Sequence, residues 1–122
     1  MNKKIISLLG GTGDLGTGLA SRLIKAGYKV LIGSRTLEKA KKAEKRLGEN
    51  AKGLRNKDAA SQGEIVILTV PFAHQRDIVE ECKNEIRGKL FIDTTVPLLP
   101  PKVATVQLPK EGSAAQIAQN IL

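Results

Sequence analysis

The stretch Ile5-Ile6-Ser7-Leu8-Leu9-Gly10-Gly11-Thr12-Gly13-Asp14-Leu15-Gly16 joins a short apolar run to a G-x-G-x-x-G turn, and an amphipathic helical pattern follows it. We expect Gly11 to allow the tight turn, Gly13 to let backbone N–H groups approach a pyrophosphate, and Gly16 to let the helix pack closely on the strand. The positive end of that helix then faces the phosphates. The stretch therefore indicates a dinucleotide-binding turn between a strand and a helix.

A second apolar run, residues 28–32, leads to Gly33-Ser34-Arg35. A site that prefers NAD places a carboxylate about 20 residues past the glycines, where it binds the ribose 2′-hydroxyl. Here that place holds a serine, which can donate to a phosphate, and an arginine, which can grip a phosphate with two hydrogen bonds. This pair favours NADP. Lys39 either adds a second cation or lies on a solvated surface.

Strands and helices alternate along the chain, and the apolar strand runs are continuous. This pattern is typical of an α/β fold with a doubly wound, mostly parallel sheet of the Rossmann type, in three layers α/β/α with right-handed crossovers. The expected strand order is 3-2-1-4-5. We expect strands at about residues 4–9, 28–32, 51–54, 64–70 and 89–94, and helices at about 14–26, 37–47, 56–63 and from Pro71 to 86.

The end of the chain has a different composition. Residues 96–112 form a proline-rich connection in which Lys102 to Leu108 could make one more strand. Ser113 can cap a last helix over residues 113–122. We expect apolar groups of this tail, Ile117 among them, to be exposed and to support a homodimer or a contact with a separate partner chain. The whole chain, residues 1–122, is interpreted as a single NADP-binding domain.

Cysteine content and hydropathy limit the location of the protein. Cys82 is the only cysteine, and it lies on the helical stripe of Ile78, Cys82 and Ile86, which favours a small buried residue over a reactive thiol. No apolar run reaches membrane-spanning length, and the chain begins without a signal-peptide pattern. We therefore expect a cytoplasmic protein that does not bind a membrane.

The formal net charge of +8 suggests an anionic partner. Nucleic acid is a poor candidate because the cations after Arg35 alternate with Glu38, Glu44 and Glu49, as on an exposed ion-paired helix face. Aromatic residues make up 2% of the chain, which leaves few surfaces for base stacking. The positive charge instead suits an anionic cofactor or substrate.

The sequence offers few catalytic candidates. His74, the only histidine, follows the fourth strand and either hydrogen-bonds a second cofactor in the cleft or bonds to backbone or water at a helix start. Asp93 and the two threonines after it either line the cleft or cap the next turn. Asp14 is expected to cap a helix, because a carboxylate would repel the pyrophosphate. No nucleophile set or metal-ligand cluster is visible.

Four segments, in this order, resemble the amino-terminal domain of the F-420-dependent NADP reductases, which move a hydride between NADPH and the deazaflavin coenzyme F-420. They are Leu8-Leu9-Gly10-Gly11-Thr12-Gly13-Asp14-Leu15-Gly16, Gly33-Ser34-Arg35 with Lys39, Leu68-Thr69-Val70-Pro71-Phe72-Ala73-His74, and Gly112-Ser113-Ala114-Ala115. The likeness covers essentially the whole chain. It implies that the 2′-phosphate is held by Thr12, Ser34, Arg35 and Lys39, the pyrophosphate by the backbone from Gly13 to Leu15, and the nicotinamide riboside by Val70, Pro71 and Phe72.

Members of the resembled family continue into a helical domain that completes the deazaflavin site and the dimer. On this resemblance we expect oxidoreductase activity where a second domain or a partner chain supplies that half of the site. The alternative is a non-catalytic module that binds NADP(H) and reports redox state to a partner.

Overall fold

The computed structural model describes residues 3–98 and 104–122. The strands are β1 (Ile6–Leu9), β2 (Val30–Ser34), β3 (Ala51–Arg55), β4 (Ile65–Leu68) and β5 (Leu90–Asp93). The helices are α1 (Asp14–Lys25), α2 (Leu37–Leu47), α3 (Asn56–Gln62), α4 (Gln75–Ile86) and α5 (Ala114–Ile121), and a 3₁₀ turn (Phe72–His74) precedes α4.

All neighbouring strands of the five-stranded sheet are parallel, in the order β3-β2-β1-β4-β5. In the register, Ile6 of β1 lies beside Val30 of β2 and Ile65 of β4. The predicted doubly wound sheet and its strand order are therefore confirmed. From β1 the chain adds β2 and β3 toward one edge of the sheet, and it then adds β4 and β5 on the other side of β1. The carboxyl ends of β1 and β4 therefore border the topological switch point.

Alternate residues of the buried strands pack on opposite faces of the sheet, since side chains alternate along a strand. One face packs on α1 and α2 through a core that contains Ile6, Leu8, Ala20, Val30, Ile32, Ala43 and Ile67. The other face packs on α3, α4 and α5 through a core that contains Leu9, Ala59, Val66, Leu68, Val79, Cys82, Ile86 and Ala118. The sheet and the helices on its two faces therefore form the predicted three layers, α/β/α.

Cys82 is fully buried among the apolar residues of α4 and the sheet. Burial raises the pKa of its thiol to about 12, and the carboxylates of Glu81 and Glu85 add to the shift. The thiol is therefore protonated at neutral pH, which confirms that Cys82 is a structural rather than a reactive residue.

A buried glutamine ties the last helix to the sheet. The Gln75 Nε2 group donates to Asp93 Oδ2 and to the Ala114 carbonyl oxygen, each at 2.6 Å. Ser113 caps α5, as predicted, because its Oγ accepts from the Gln116 N–H at 3.1 Å. Ile117 is buried, so the prediction that it is exposed is wrong.

The predicted extra strand is wrong where the structure describes it. Residues 104–108 contain a turn, a bend and irregular backbone, and the Gln107 N–H donates to the Pro97 carbonyl oxygen at 2.8 Å. The rest of the predicted strand, residues 102 and 103, lies outside the described residues.

Two local predictions near α1 also need correction. Tyr28 belongs to the turn that ends α1, because its N–H donates to the Leu23 carbonyl oxygen at 3.0 Å and Gly27 has a φ of 94°. The second strand consequently begins at Val30 instead of Tyr28. Leu15, the first apolar residue of the amphipathic pattern that follows the glycine turn, is 51% exposed in the first turn of α1, so the buried apolar face begins later in the helix.

The two glycines inside α1 provide a matched test of its packing. A Cβ at Gly16 would lie 2.5 Å from the Gly11 Cα, whereas a Cβ at Gly18 would meet no heavy atom within 4 Å. We expect Gly16→Ala to lower the free energy of unfolding by about 1 to 3 kcal/mol. Gly18→Ala should raise it by about 0.5 to 1 kcal/mol, since alanine is the better helix former. Urea titration measures both, and equal effects would contradict the packing argument.

Candidate functional site

A cleft of about 370 Å³ opens at the carboxyl ends of β1, β2 and β4. This edge, beside the switch point, is where open α/β sheets bind ligands. The cleft is lined by Gly10, Thr12, Gly13, Ser34, Arg35, Thr36, Lys39, Asn56, Thr69, Val70, Pro71, His74 and Ile78.

The turn after β1 bends at Gly10, which has a φ of 69°. A Cβ at Gly10 would also collide with the Val70 side chain. The prediction that Gly11 allows the tight turn is therefore wrong, because the glycine with the positive φ is its neighbour Gly10. Gly11 is required for space, because a Cβ there would lie 2.8 Å from the Leu8 carbonyl oxygen. Its N–H donates to the Gly33 carbonyl oxygen at 3.0 Å, which joins the turn to the end of β2.

The amino terminus of α1 points its backbone N–H groups at the cleft. Gly13 is the N-cap, and no side chain in the part of the chain that the structure describes caps this end of the helix. The prediction that Asp14 caps a helix is therefore wrong, since Asp14 is the first helical residue. The first N–H groups of a helix lack partners within it, and a Cβ at Gly13 would meet no heavy atom within 4 Å. The turn thus presents open donors and open space.

The end of β2 supplies a hydroxyl and two cations. Ser34 is buried, and its Oγ accepts from the Thr36 N–H at 3.3 Å, which leaves its hydroxyl proton available to donate. Arg35 and Lys39 are exposed and line the cleft. Among residues 3–98 and 104–122 neither cation lies within 4.0 Å of a carboxylate oxygen. This part of the cleft therefore carries positive charge that is not paired with a carboxylate of the described residues.

The segment after β4 forms the opposite wall. Val70, Pro71 and His74 line the cleft, but Phe72 is half-buried outside that lining. The His74 ring is exposed and makes no side-chain hydrogen bond to the part of the chain that the structure describes. The contact of His74 with a second cofactor, or with backbone or water, stays a prediction.

The residues at the end of β5 cap a turn. Asp93 Oδ1 accepts from the Thr95 N–H at 2.8 Å, and Thr94 Oγ1 donates to the Leu68 carbonyl oxygen at 2.6 Å. None of the three lines the cleft. Of the two interpretations considered for this segment, the structure supports turn capping.

The structure places some of the predicted site residues in the lining of the cleft and others outside it. The residues that line the cleft are Thr12, Gly13, Ser34, Arg35, Lys39, Val70, Pro71 and His74. The predicted residues that do not line it are Gly11, Asp14, Leu15, Gly16 and Phe72. Gly11 and Gly16 instead shape the turn behind the cleft, while Asp14 and Leu15 begin the helix whose N–H groups face it.

The sequence predicts Asn56 or Asp58 only as a cap of the short third helix and assigns Asn56 no place in the site. The N-cap of α3 is Arg55, and Asn56, which follows β3 directly, is 1% exposed. Its Oδ1 accepts from the Gly10 N–H at 3.0 Å and so holds the glycine turn from the side. Its Nδ2 is buried and has no hydrogen-bond partner among the described residues. The sequence signal that could have identified Asn56 is its position directly after a strand, at the edge of a parallel sheet where ligands bind.

Residues 3–98 and 104–122 contain neither a metal-ligand cluster nor a membrane-spanning helix. There, no three side chains of His, Cys, Asp or Glu converge as ligands for a metal ion. No helix in this part of the chain combines the length and apolarity that a bilayer crossing requires.

The doubly wound sheet, with a glycine turn after its first strand and a cleft beside it, defines a Rossmann-fold domain. Residues 5–97 match the family described as NADP oxidoreductase, coenzyme F-420-dependent. The chain belongs to this family.

Individual relatives agree with this assignment. The chain is 41% identical to the F-420-dependent NADP reductase of Methanocaldococcus jannaschii, over 96% of this chain and 57% of the relative. It is 47% identical to the enzyme of that name from Methanothermobacter marburgensis, over 76% of this chain and 45% of the relative. The chain thus spans about half the length of the curated relatives it matches.

A solved structure confirms the fold. The crystal structure of a putative F-420-dependent NADP reductase from Arthrobacter sp. FB24 superposes with a TM-score of 0.81 over 98% of this chain and 58% of that chain, at 21% identity.

The bond between Asn56 and the glycine turn can be tested by substitution. Asn56→Ala leaves the Gly10 N–H without its acceptor, so we expect the free energy of unfolding to fall by about 1 to 3 kcal/mol. Hydrogen exchange measured by NMR should show faster exchange of the Gly10 amide. The Thr69 amide, which donates to the Leu9 carbonyl oxygen at 3.0 Å, is the internal control. Unchanged exchange at Gly10 would show that Asn56 does not hold the turn.

Proposed function

We propose that the chain binds NADP(H) in the cleft and serves as the NADP-binding part of an oxidoreductase that transfers a hydride between NADPH and coenzyme F-420. One observation carries the proposal: the uncapped amino terminus of α1 and the cations Arg35 and Lys39 border the same cleft. A helix amino terminus binds phosphate through its free N–H groups and its dipole. The cations add a second phosphate-binding position about one strand away.

In this proposal the 2′-phosphate lies at the end of β2. The Ser34 hydroxyl donates to it, and Arg35, Lys39 and the Thr12 hydroxyl complete its shell. The pyrophosphate lies over the backbone N–H groups from Gly13 to Leu15. These contacts are charge-assisted, which makes them the strong ones in such a site.

The nicotinamide riboside lies against the segment after β4, where Val70 and Pro71 line the cleft. Phe72 belongs to this segment in the proposal, although it lies outside the lining of the cleft in the present structure. Val70 also packs over Gly10, so the wall of the riboside pocket and the glycine turn support each other.

The donor set of the cleft fits NADP. Ser34 and Arg35 occupy the place where a carboxylate would bind a free ribose diol, and no carboxylate of the described residues lines the cleft. Asn56 Nδ2 adds a buried donor without a protein partner in the cleft wall. The cleft volume of about 370 Å³ falls within the ordinary range for small-molecule sites.

The bound cofactor supplies the hydride, and this chain supplies binding and orientation. Hydride transfer depends mainly on holding two rings at the right distance in a dry pocket. In this proposal His74, which is exposed and lines the cleft, is available to hydrogen-bond the second substrate. The proposal requires no metal and no acid–base pair from this chain.

A second protein surface completes the site in this proposal. β5 is an edge strand of the sheet, and Leu90 and Ile92 on it are 60% and 41% exposed. Val96 and Leu98, which follow β5, are also exposed. Exposed apolar residues on a strand edge favour contact with another domain, a second copy or a separate chain.

Cofactor preference is tested with Arg35→Ala. A charge-assisted contact contributes about 1.5 to 3 kcal/mol, so the variant should bind NADP about 10- to 150-fold more weakly while its affinity for NAD changes little. Arg22→Ala is the matched control, because Arg22 is an exposed arginine in the last turn of α1, away from the cleft. Calorimetric titration gives both affinities. Equal affinity of the unmodified protein for NADP and NAD would contradict the assignment.

The reaction is tested by mixing the protein with NADPH and oxidised coenzyme F-420 and following the deazaflavin absorbance. We expect F-420 to be reduced in proportion to NADPH oxidised, and more slowly with Arg35→Ala at low NADPH concentration. NADPH binding without turnover, in the chain alone and in any longer form that contains it, would favour the redox-sensing module instead.

A further inference from the structure

A second depression, the α1–α2 groove, adjoins the cleft. It has a volume of about 400 Å³ and is lined by Thr12, Gly13, Thr17, Lys39, Lys42, Ala43 and Arg46. Thr12, Gly13 and Lys39 also line the cleft, so the two spaces are continuous. The groove therefore leads from the outer surface of α2 to the position proposed for the 2′-phosphate.

Three cations form one wall of this groove. Lys39, Lys42 and Arg46 are spaced three and four residues apart, which places them on one face of α2. All three are exposed. Ala43 lies on the same face and packs on the core, so this face is fixed toward α1.

The two carboxylates of α2 do not neutralise the positive charge of the groove. Glu38 Oε1 lies 3.5 Å from Lys42 Nζ, but both side chains are more than three-quarters exposed, and such pairs contribute little. Glu44 accepts from the Gly53 N–H at 2.8 Å and from Lys41, which holds the pKa of its carboxyl below the usual value. Neither carboxylate lines the groove.

We propose that the α1–α2 groove is an association site for the phosphate monoester of the dinucleotide. Lys42 and Arg46 attract the 2′-phosphate along the groove and deliver it to Ser34, Arg35 and Lys39, without contacting it in the final complex. This inference rests on the proposed binding of NADP(H) in the cleft. Charges at the rim of a site act mainly on the association rate and its salt dependence, and much less on dissociation.

The test is the rate of NADPH binding, followed by its fluorescence after rapid mixing. Lys42→Gln combined with Arg46→Gln removes two charges from the groove. Lys25→Gln combined with Lys45→Gln removes two charges from α1 and α2 outside both the groove and the cleft. Both double variants have the same net charge. All four residues are exposed, so circular dichroism should show an unchanged fold.

At low ionic strength we expect the groove variant to bind NADPH about 3- to 10-fold more slowly than the control variant, with an unchanged dissociation rate. The difference should vanish in about 1 M salt, where charges are screened within about 3 Å. Lys42→Arg combined with Arg46→Lys should keep the fast rate.

Equal association rates of the groove and control variants would overturn this inference and leave NADP binding in the cleft intact. Faster dissociation from the groove variant would also overturn it, because Lys42 and Arg46 would then contact bound ligand. An unmodified protein that does not bind NADPH would overturn the proposed function together with the inference.

Discussion

The close contact between the start of α1 and the glycine turn is the constraint on which the rest of this structure depends. Gly16 lies against Gly11 so closely that a side-chain atom at Gly16 would meet the backbone of Gly11. This contact sets the angle at which α1 leaves the sheet. The helix therefore begins at Gly13, which lines the cleft, and no described side chain caps its first N–H groups.

The rest of the sheet holds that turn from two further sides. The Gly33 carbonyl oxygen accepts from the Gly11 N–H, and Asn56 Oδ1 accepts from the Gly10 N–H. Both bonds come from the carboxyl ends of other strands. A rigid turn of this kind binds an anion without paying an ordering cost on binding, since its donors are already in place.

The two edges of the sheet differ. The β3 edge is packed under α2, where the Ala40 backbone lies directly over Gly53. The β5 edge keeps Leu90 and Ile92 exposed, although Gln75 anchors the last helix beside it. The charged groove borders α2, which packs on the β3 edge, and the exposed apolar residues Leu90 and Ile92 lie on β5, so the phosphate-binding and surface-binding features proposed for the chain lie toward opposite edges of the sheet.

The sequence by itself determined the glycine turn, the buried Cys82 and the replacement of a carboxylate by Ser34 and Arg35, because hydrophobic periodicity and short motifs act over neighbouring residues. The strand order was predictable because alternating strands and helices after such a turn are typical of one fold class. Only the tertiary structure decided that Gly10 takes the positive φ, that Ile117 is buried and that Asn56 holds the turn. Gly10 and Asn56 are separated by 46 positions, and their bond exists because β1 and β3 end at the same edge of the sheet, with β2 between them. Contacts of this range follow from packing of the whole sheet, which no local pattern contains.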